Sequence, residues 1–401
     1  MNQNAGELTV IGLGGGGCRI AATLAGLTAG STHWQLLAAD TDTESLSHIQ
    51  GAQTISLGQE WVKSEGCGGD AVLGERATSA SADELRSLFE GSRMVIVAAG
   101  LGGGTSSGGV RVLARLLREM DLVSLFVVTL PFAFEGSWRQ REAEKALVPL
   151  RDLAEAVIVV PNDLLFTELT ADTPATQAFT MADGMLAEGI HGLTRVLSAE
   201  GLITADFATL KSILRQRQAT CALGVGQGTG EDRWQAAIDS FIKCPFVGSS
   251  EALADADAAI VTLCGGMGLS VGEVRSCLTA FQQYFSEDAR VVVGAYADDR
   301  MGDDVQITGL LCRYRREETD DAGTDEQQGP PAETPHQETS PKRRPRKGKA
   351  LQTQGGPVQG ELPLQEQSLG IFTGVQPTTI RGENLDIPTF QRRGIHPDVG
   401  D

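Results

Sequence analysis

The chain is short of the residues that build metal clusters and disulfide frameworks. Its 401 residues hold only seven cysteines and five histidines. The cysteines, at 18, 67, 221, 244, 264, 277 and 312, include no C-x-x-C pair. That spacing argues against a metal cluster, and an odd count in a long chain reads as reduced thiols in a cytosol. Positive charge is also scarce. With 33 Lys and Arg against 52 Asp and Glu, the net charge is −19. That argues against general nucleic-acid binding, because phosphates would be repelled. It does not bear on one nucleotide held by local dipoles. No run of about 18 apolar residues occurs, so no membrane-spanning helix is expected. The opening "MNQNAGELTV" has no basic start before an apolar stretch, so no signal peptide is expected. Finally, G-x-x-x-x-G-K-[ST] is missing; the lone Gly-Lys, Gly348-Lys349, lies in a polar stretch, which excludes a P-loop enzyme.

What is abundant is glycine, 49 residues, on a chain that is 41% hydrophobic. The first third alternates short apolar runs with helix-like segments. "ELTVIGLG", "WQLLAAD", "RMVIVAAG", "LVSLFVVTLPF" and "AVIVVPND" read as strands. Continuous apolar strands separated by helices imply a parallel sheet covered on both faces. Further on, Leu186, Ile190, Leu193 and Leu197 share one helical face. The fold expected is therefore α/β. A parallel-sheet nucleotide-binding domain over 1–175 is joined by a long core helix over 176–201 to an α+β C-terminal domain over 202–315.

Between Tyr314 and Phe372 there is no aromatic residue. Such a stretch cannot bury enough apolar area to offset its conformational entropy, so 316–376 is expected to be a disordered linker. Its basic cluster, Lys342 to Lys349, reads as a solvated tether or as a weak contact with anionic lipid or nucleic acid. Apolar residues return at Leu385, Ile387, Pro388 and Phe390. Residues 377–401 read as a casual apolar terminus or as a peptide that docks in a partner's groove.

Two glycine loops follow two strands: Gly12-Leu13-Gly14-Gly15-Gly16-Gly17 and Gly102-Gly103-Gly104-Thr105-Ser106-Ser107-Gly108. Missing Cβ atoms let backbone N–H groups approach an anion, and the following helix offers its positive end. Hydroxyls at 105–107 would add donors. Tight strand–helix packing is the bland reading of either loop alone. The first loop also satisfies G-x-G-x-x-G, with Asp40 about twenty residues on, which keeps a dinucleotide site open. A dinucleotide fold does not need the second loop.

The chain resembles the tubulin and FtsZ family. "GGGTSSG" is similar to the family's "GGGTGSG", "TLPFAFEGSWR" to "TKPFxFEGxxR", "VVPNDLL" to "xIPNDxLL", and "LDIPTFQRR" to the terminal "LDIPxFLRR". Their shared order makes the likeness specific. It implies GTP and GDP as ligands, with Mg2+ accompanying the nucleotide. It places Gly14, Gly15, Gly16, Gly17, Cys18 and Gly102 to Gly108 at the phosphates, with Asp40 close by. It places Glu135 and Arg139 at the ribose, Asn162 and Asp183 at the guanine, and Phe179 stacked on the base. The residues alone also allow Glu135–Arg139 as a surface ion pair, and Phe179 and Asp183 as an ordinary helix start. "EGCGGD", around Gly66 to Asp70, resembles the family's loop near the γ-phosphate without its Asn-Pro.

The resemblance further implies self-assembly head to tail, with hydrolysis completed by a loop of the next subunit patterned N-x-D-x-x-D. Here that loop reads Thr204-Ala205-Asp206-Phe207-Ala208-Thr209, so Asp206 alone survives as a catalytic candidate. A hydroxyl in place of a carboxylate predicts slow turnover. Asp40-Thr41-Asp42 stands where the family has "NTD", adding negative charge near the phosphates. Leu385, Ile387, Pro388 and Phe390 match the peptide that meets membrane-anchored division proteins. The function expected is a cytoplasmic filament of bacterial cell division, acting at the division site. A co-polymerising or regulatory paralogue is the second reading, and an NAD-dependent enzyme a distant third.

Overall fold

A computed structural model describes residues 7–314, apart from 29–33, 168, 171, 198–200, 205, 217–218 and 249, together with 379–380 and 383–384. Ten strands form one sheet: β1 (Leu8–Leu13), β2 (Gln35–Asp40), β3 (Gln53–Ser56), β4 (Met94–Gly100), β5 (Val123–Leu130), β6 (Ala156–Pro161), β7 (Ala219–Gly228), β8 (Ala258–Gly265), β9 (Arg290–Ala297) and β10 (Val305–Arg313). The order is β3-β2-β1-β4-β5-β6-β7-β10-β8-β9. All pairings from β3 through β7 are parallel. The strand β10 then runs antiparallel to both β7 and β8.

The apolar runs are continuous because both faces of the sheet are covered. Val10, Ile96 and Leu125 alternate to one side, where they join Ile20 and Leu24 of helix Gly14–Leu27 and Leu186 and Ile190 of helix Ala175–Leu197. Ile11, Val97 and Phe126 point the other way, into a second core with Val110 and Leu113 of helix Gly104–Glu119 and Leu150 of helix Ser137–Leu153. The long helix spans Ala175–Leu197, close to the expected 176–201, and Leu186, Ile190 and Leu193 are buried on it as one face.

The first half and the expected α+β half share this one sheet. They meet where β6 pairs with β7, over Ala156 to Ile158 against Ala219 to Cys221. The strand β3 was not apparent from the sequence; Ile55 is its one buried side chain. Residues 379–380 and 383–384 form a short antiparallel pair. The linker and the anchors Leu385, Ile387, Pro388 and Phe390 lie outside the described residues.

Candidate nucleotide site

The sheet order reverses between β1 and β4, and both glycine loops leave the sheet there. Leu13 and Ala99 are register partners at the ends of these two neighbouring strands. The carboxyl ends of parallel strands at such a reversal form a crevice. Helices Gly14–Leu27 and Gly104–Glu119 start at this point. Neither start carries a side-chain cap, and neither has an acidic residue in its first turn. Two sets of unpaired N–H groups and two positive helix ends therefore converge, which is a site for an anion.

A cavity of about 610 Å³ opens on them. Gly15, Gly16 and Gly103 of the two glycine loops line it, together with Asn162, Phe179 and Asp183. The Asn162 Oδ1 atom is buried with no hydrogen-bond partner. A buried acceptor without a donor is costly, and a ligand N–H would satisfy it. Phe179 packs edge-on against Phe132, with centroids 5.3 Å apart. Asp183 is buried. Burial raises its carboxyl above the ordinary range, and the neighbouring Arg19 opposes that rise.

Glu135 and Arg139 both line the cavity. They are also joined to each other, Arg139 Nη1 donating to Glu135 Oε2 at 2.9 Å. Glu135 Oε1 accepts from the Phe132 backbone N–H at 2.9 Å, which fixes the turn into helix Ser137–Leu153. The ion-pair reading and the ribose-contact reading thus apply to the same two side chains.

Several expected contacts face away from the cavity. Cys18 is buried, with its thiol 3.7 Å from Gly12 O and 3.6 Å from Ala39 O. Burial, with Asp40 nearby, pushes that thiol up. A Cβ on Gly17 would lie 2.2 Å from Ala98 O, and one on Gly108 would lie 2.1 Å from Ala71 O. These two glycines allow helix to lie on strand and helix on helix, the packing role weighed earlier. Gly14 and Gly102 bend the chain, at φ of +69° and +97°. Gly104 is pressed against Cys67.

The hydroxyls expected to donate to phosphate have protein partners, and Ser106 also lines the cavity. Thr105 Oγ1 meets Thr41 Oγ1 at 2.6 Å. Ser106 donates to Gly100 O, and Ser107 Oγ accepts from Gly102 N at 2.8 Å. These bonds hold the loop's shape. The carboxyl of Asp40 stands beside Gly15 and is raised, chiefly by burial. Asp42 caps the next helical turn, accepting from Ser45 Oγ at 2.7 Å. In the third loop Asp70 caps helix Ala71–Ala80, accepting from Val72 N and Leu73 N.

The expected catalytic loop runs into helix Phe207–Leu214. Asp206 caps this helix: Oδ1 accepts from Ala208 N at 3.3 Å, and Oδ2 accepts from Thr209 Oγ1 at 3.5 Å. The helix is tied to the first half of the protein at both ends. The Arg93 guanidinium sits 3.9 Å from the Phe207 ring centroid, and Arg215 pairs with Asp121 at 2.7 Å and Glu155 at 2.8 Å.

Fold and cavity define a class: a nucleotide-binding α/β protein with two glycine-led helix starts at a sheet reversal and an α+β half extending the same sheet. Comparison with known proteins narrows it. Residues 7–170 match the Tubulin/FtsZ family, GTPase domain, and residues 219–312 match the FtsZ family, C-terminal domain. The chain is 33% identical over 294 residues to cell division protein FtsZ 1 of Archaeoglobus fulgidus, covering 73% of this chain and 78% of that protein. It is 32% identical over 308 residues to cell division protein FtsZ 1 of Halobacterium salinarum, covering 76% of each. The empty FtsZ dimer of M. jannaschii superimposes with a TM-score of 0.71 at 28% identity, covering 78% of this chain and 89% of that one. The chain belongs to the tubulin/FtsZ family of cytoskeletal GTPases. The dinucleotide reading of the first loop gives way to that membership.

Arg19 is one of the cavity residues that the sequence reading missed, with Thr129, Thr176 and Thr180 among the others. It lies four positions beyond Gly15, but its partner Asp183 is 164 residues away. Only the helix–helix approach reveals the pair.

Proposed function

We propose that this chain binds GTP and GDP in the cavity, stacks head to tail into filaments, and hydrolyses GTP slowly between subunits as part of cell division. The observation that carries this is the convergence of two uncapped helix starts on a cavity also lined by Phe179, Asp183 and Asn162 with its unpartnered Oδ1. Slow turnover rests on the loop ending at Thr209, with Asp206 engaged in capping its own helix. Sedimentation with and without GTP, paired with phosphate release, tests both parts. GTP-independent pelleting removes the filament reading, and fast release removes the slow-turnover reading. The bacterial setting expected from the sequence rests on the resemblance alone, since the relatives named above are archaeal.

Mg2+ fits as a companion of the phosphates. Among the described residues no group of three or more His, Cys, Asp or Glu could hold a metal ion. Mg2+ commonly rests on one or two carboxylates plus substrate phosphates. Asp40 is the carboxylate beside the first loop, and the ion would neutralise charge there.

A second reading is a paralogue that co-polymerises with a copy carrying an intact loop; Thr209 favours it. Tail binding to membrane-anchored partners at a cytoplasmic division site is proposed from "LDIPTFQRR". Septal recruitment that survives Phe390→Ala would remove that part.

A further inference from the structure

All seven cysteines are buried and free. Two of them are in contact. Cys221 lies on β7 and Cys312 on β10, and they face each other as register partners of that antiparallel ladder. Their Sγ atoms are 3.5 Å apart. Cys221 is 4% exposed and Cys312 0%, both within the apolar core shared with the long helix. Contact with Cys312, and then burial, holds the Cys221 thiol well above its ordinary range. At rest Cys221 is therefore a thiol rather than a thiolate.

The placement suits a covalent link. Facing residues of an antiparallel ladder have Cα atoms about 4.5–5.5 Å apart. A disulfide spans Cα atoms about 4.4–6.8 Å apart. The backbone separation is thus already right, and side-chain rotation closes the gap between the sulfurs. A route of access is present as well. The ladder of β7 and β10 ends one rung further on, at Thr220 and Arg313, and both of these residues are exposed. Ladder ends open locally at far less cost than global unfolding. One frayed rung brings water and a small oxidant to the pair.

We propose that Cys221 and Cys312 are a peroxide-reactive dithiol that closes into a disulfide across β7 and β10. One sulfur, as its thiolate, attacks a peroxide oxygen. The O–O bond breaks, water leaves with the thiol's proton, and the sulfur becomes a sulfenic acid. The facing sulfur, as its thiolate, then attacks the sulfenic sulfur. The S–O bond breaks, the S–S bond forms, and a second water leaves. Two thiols and one hydrogen peroxide become one disulfide and two waters. A small dithiol reverses the step by exchange. The bond staples β10 to β7 and closes a loop that contains β8, β9 and the helices between them. This site is separate from the nucleotide cavity, and its chemistry needs no nucleotide.

The test treats the folded full-length protein with excess hydrogen peroxide, then unfolds it and counts free thiols. Expected are a fall from seven thiols to five, a peptide map that joins Cys221 to Cys312, and recovery of all seven with dithiothreitol. Two results overturn the proposal: seven thiols that survive a treatment sufficient to consume free glutathione, or a disulfide that joins other cysteines instead. Cys312→Ala removes the facing sulfur. Its remaining thiols should show no loss that dithiothreitol reverses, and a reversible loss of two would also overturn the assignment. The first measurement uses the unaltered protein, so it decides the question even where Cys312→Ala fails to fold.

Discussion

Thr41 and Thr105 meet hydroxyl to hydroxyl at 2.6 Å, joining the end of β2 to the second glycine loop. The Cys67 thiol reaches the same Thr41 oxygen at 3.3 Å. Three loops are therefore pinned at one buried point, next to Ser106 of the cavity wall. Thr105→Val removes one hydroxyl from that point. The expected loss is about 1 kcal/mol, or ~2–4 °C in thermal midpoint, with weaker GTP binding. Thermal unfolding with and without GTP reads both effects, and an unchanged midpoint would show that the pin carries no stability.

Two glycines of the first loop separate packing from binding. At Gly17 a methyl group would enter the space of Ala98 O, whereas at Gly15 the nearest atom would be Asp40 Oδ2 at 3.9 Å. Gly17→Ala should lower stability by about 1–3 kcal/mol through overpacking. Gly15→Ala should fold normally and lose about tenfold or more in GTP affinity, because its methyl group faces the cavity. Denaturant midpoints and GTP titrations of the two variants would show the opposite pattern if these roles were reversed.

On the proposed catalytic-loop alignment, Thr209 stands where the pattern has its second carboxylate. Thr209→Asp should raise phosphate release per filament subunit by about 10²-fold or more, the scale of a positioned acid–base group. The rate must be read under assembling conditions. No gain, with assembly intact, would place the rate limit elsewhere.

Asp298 supplies a pH signature. The Arg300 side chain, hydrogen-bonded to it, is the largest cause that holds its carboxyl down at about 2, against an ordinary value of 3.8, and Arg195 of the central helix adds to it. A carboxyl depressed in the folded state stabilises when ionised. That contribution is present above 3.8 and is lost as pH falls toward about 2. Asp298→Asn should therefore be less stable at neutral pH by roughly 1–2 kcal/mol. The gap to the unaltered protein should hold down to about pH 4 and narrow below it. Urea midpoints across this range test it, and a gap that widens in acid would contradict the ion pair.

The apolar strands, the long helix and both glycine loops were legible because each is a local pattern. Leu186, Ile190 and Leu193 announce their face by spacing alone. What stayed hidden depends on chain segments far apart. The spacing of Thr105, Ser106 and Ser107 suggests donors to a ligand, and it does not say that Thr41, Gly100 and Gly102 are their partners within the protein. The G-x-G-x-x-G pattern does not say that Gly17 touches Ala98 while Gly15 faces the cavity. Strand β3 buries one side chain, too few to betray a strand.

The ladder between β6 and β7 has three rungs, Ala156 to Ile158 against Ala219 to Cys221, whereas β7 and β10 share nine. Few backbone rungs therefore join the two halves, and one apolar core crosses beneath the seam, where Ile158 of the first half and Leu223 of the second share it with Leu186 and Ile190 of the long helix.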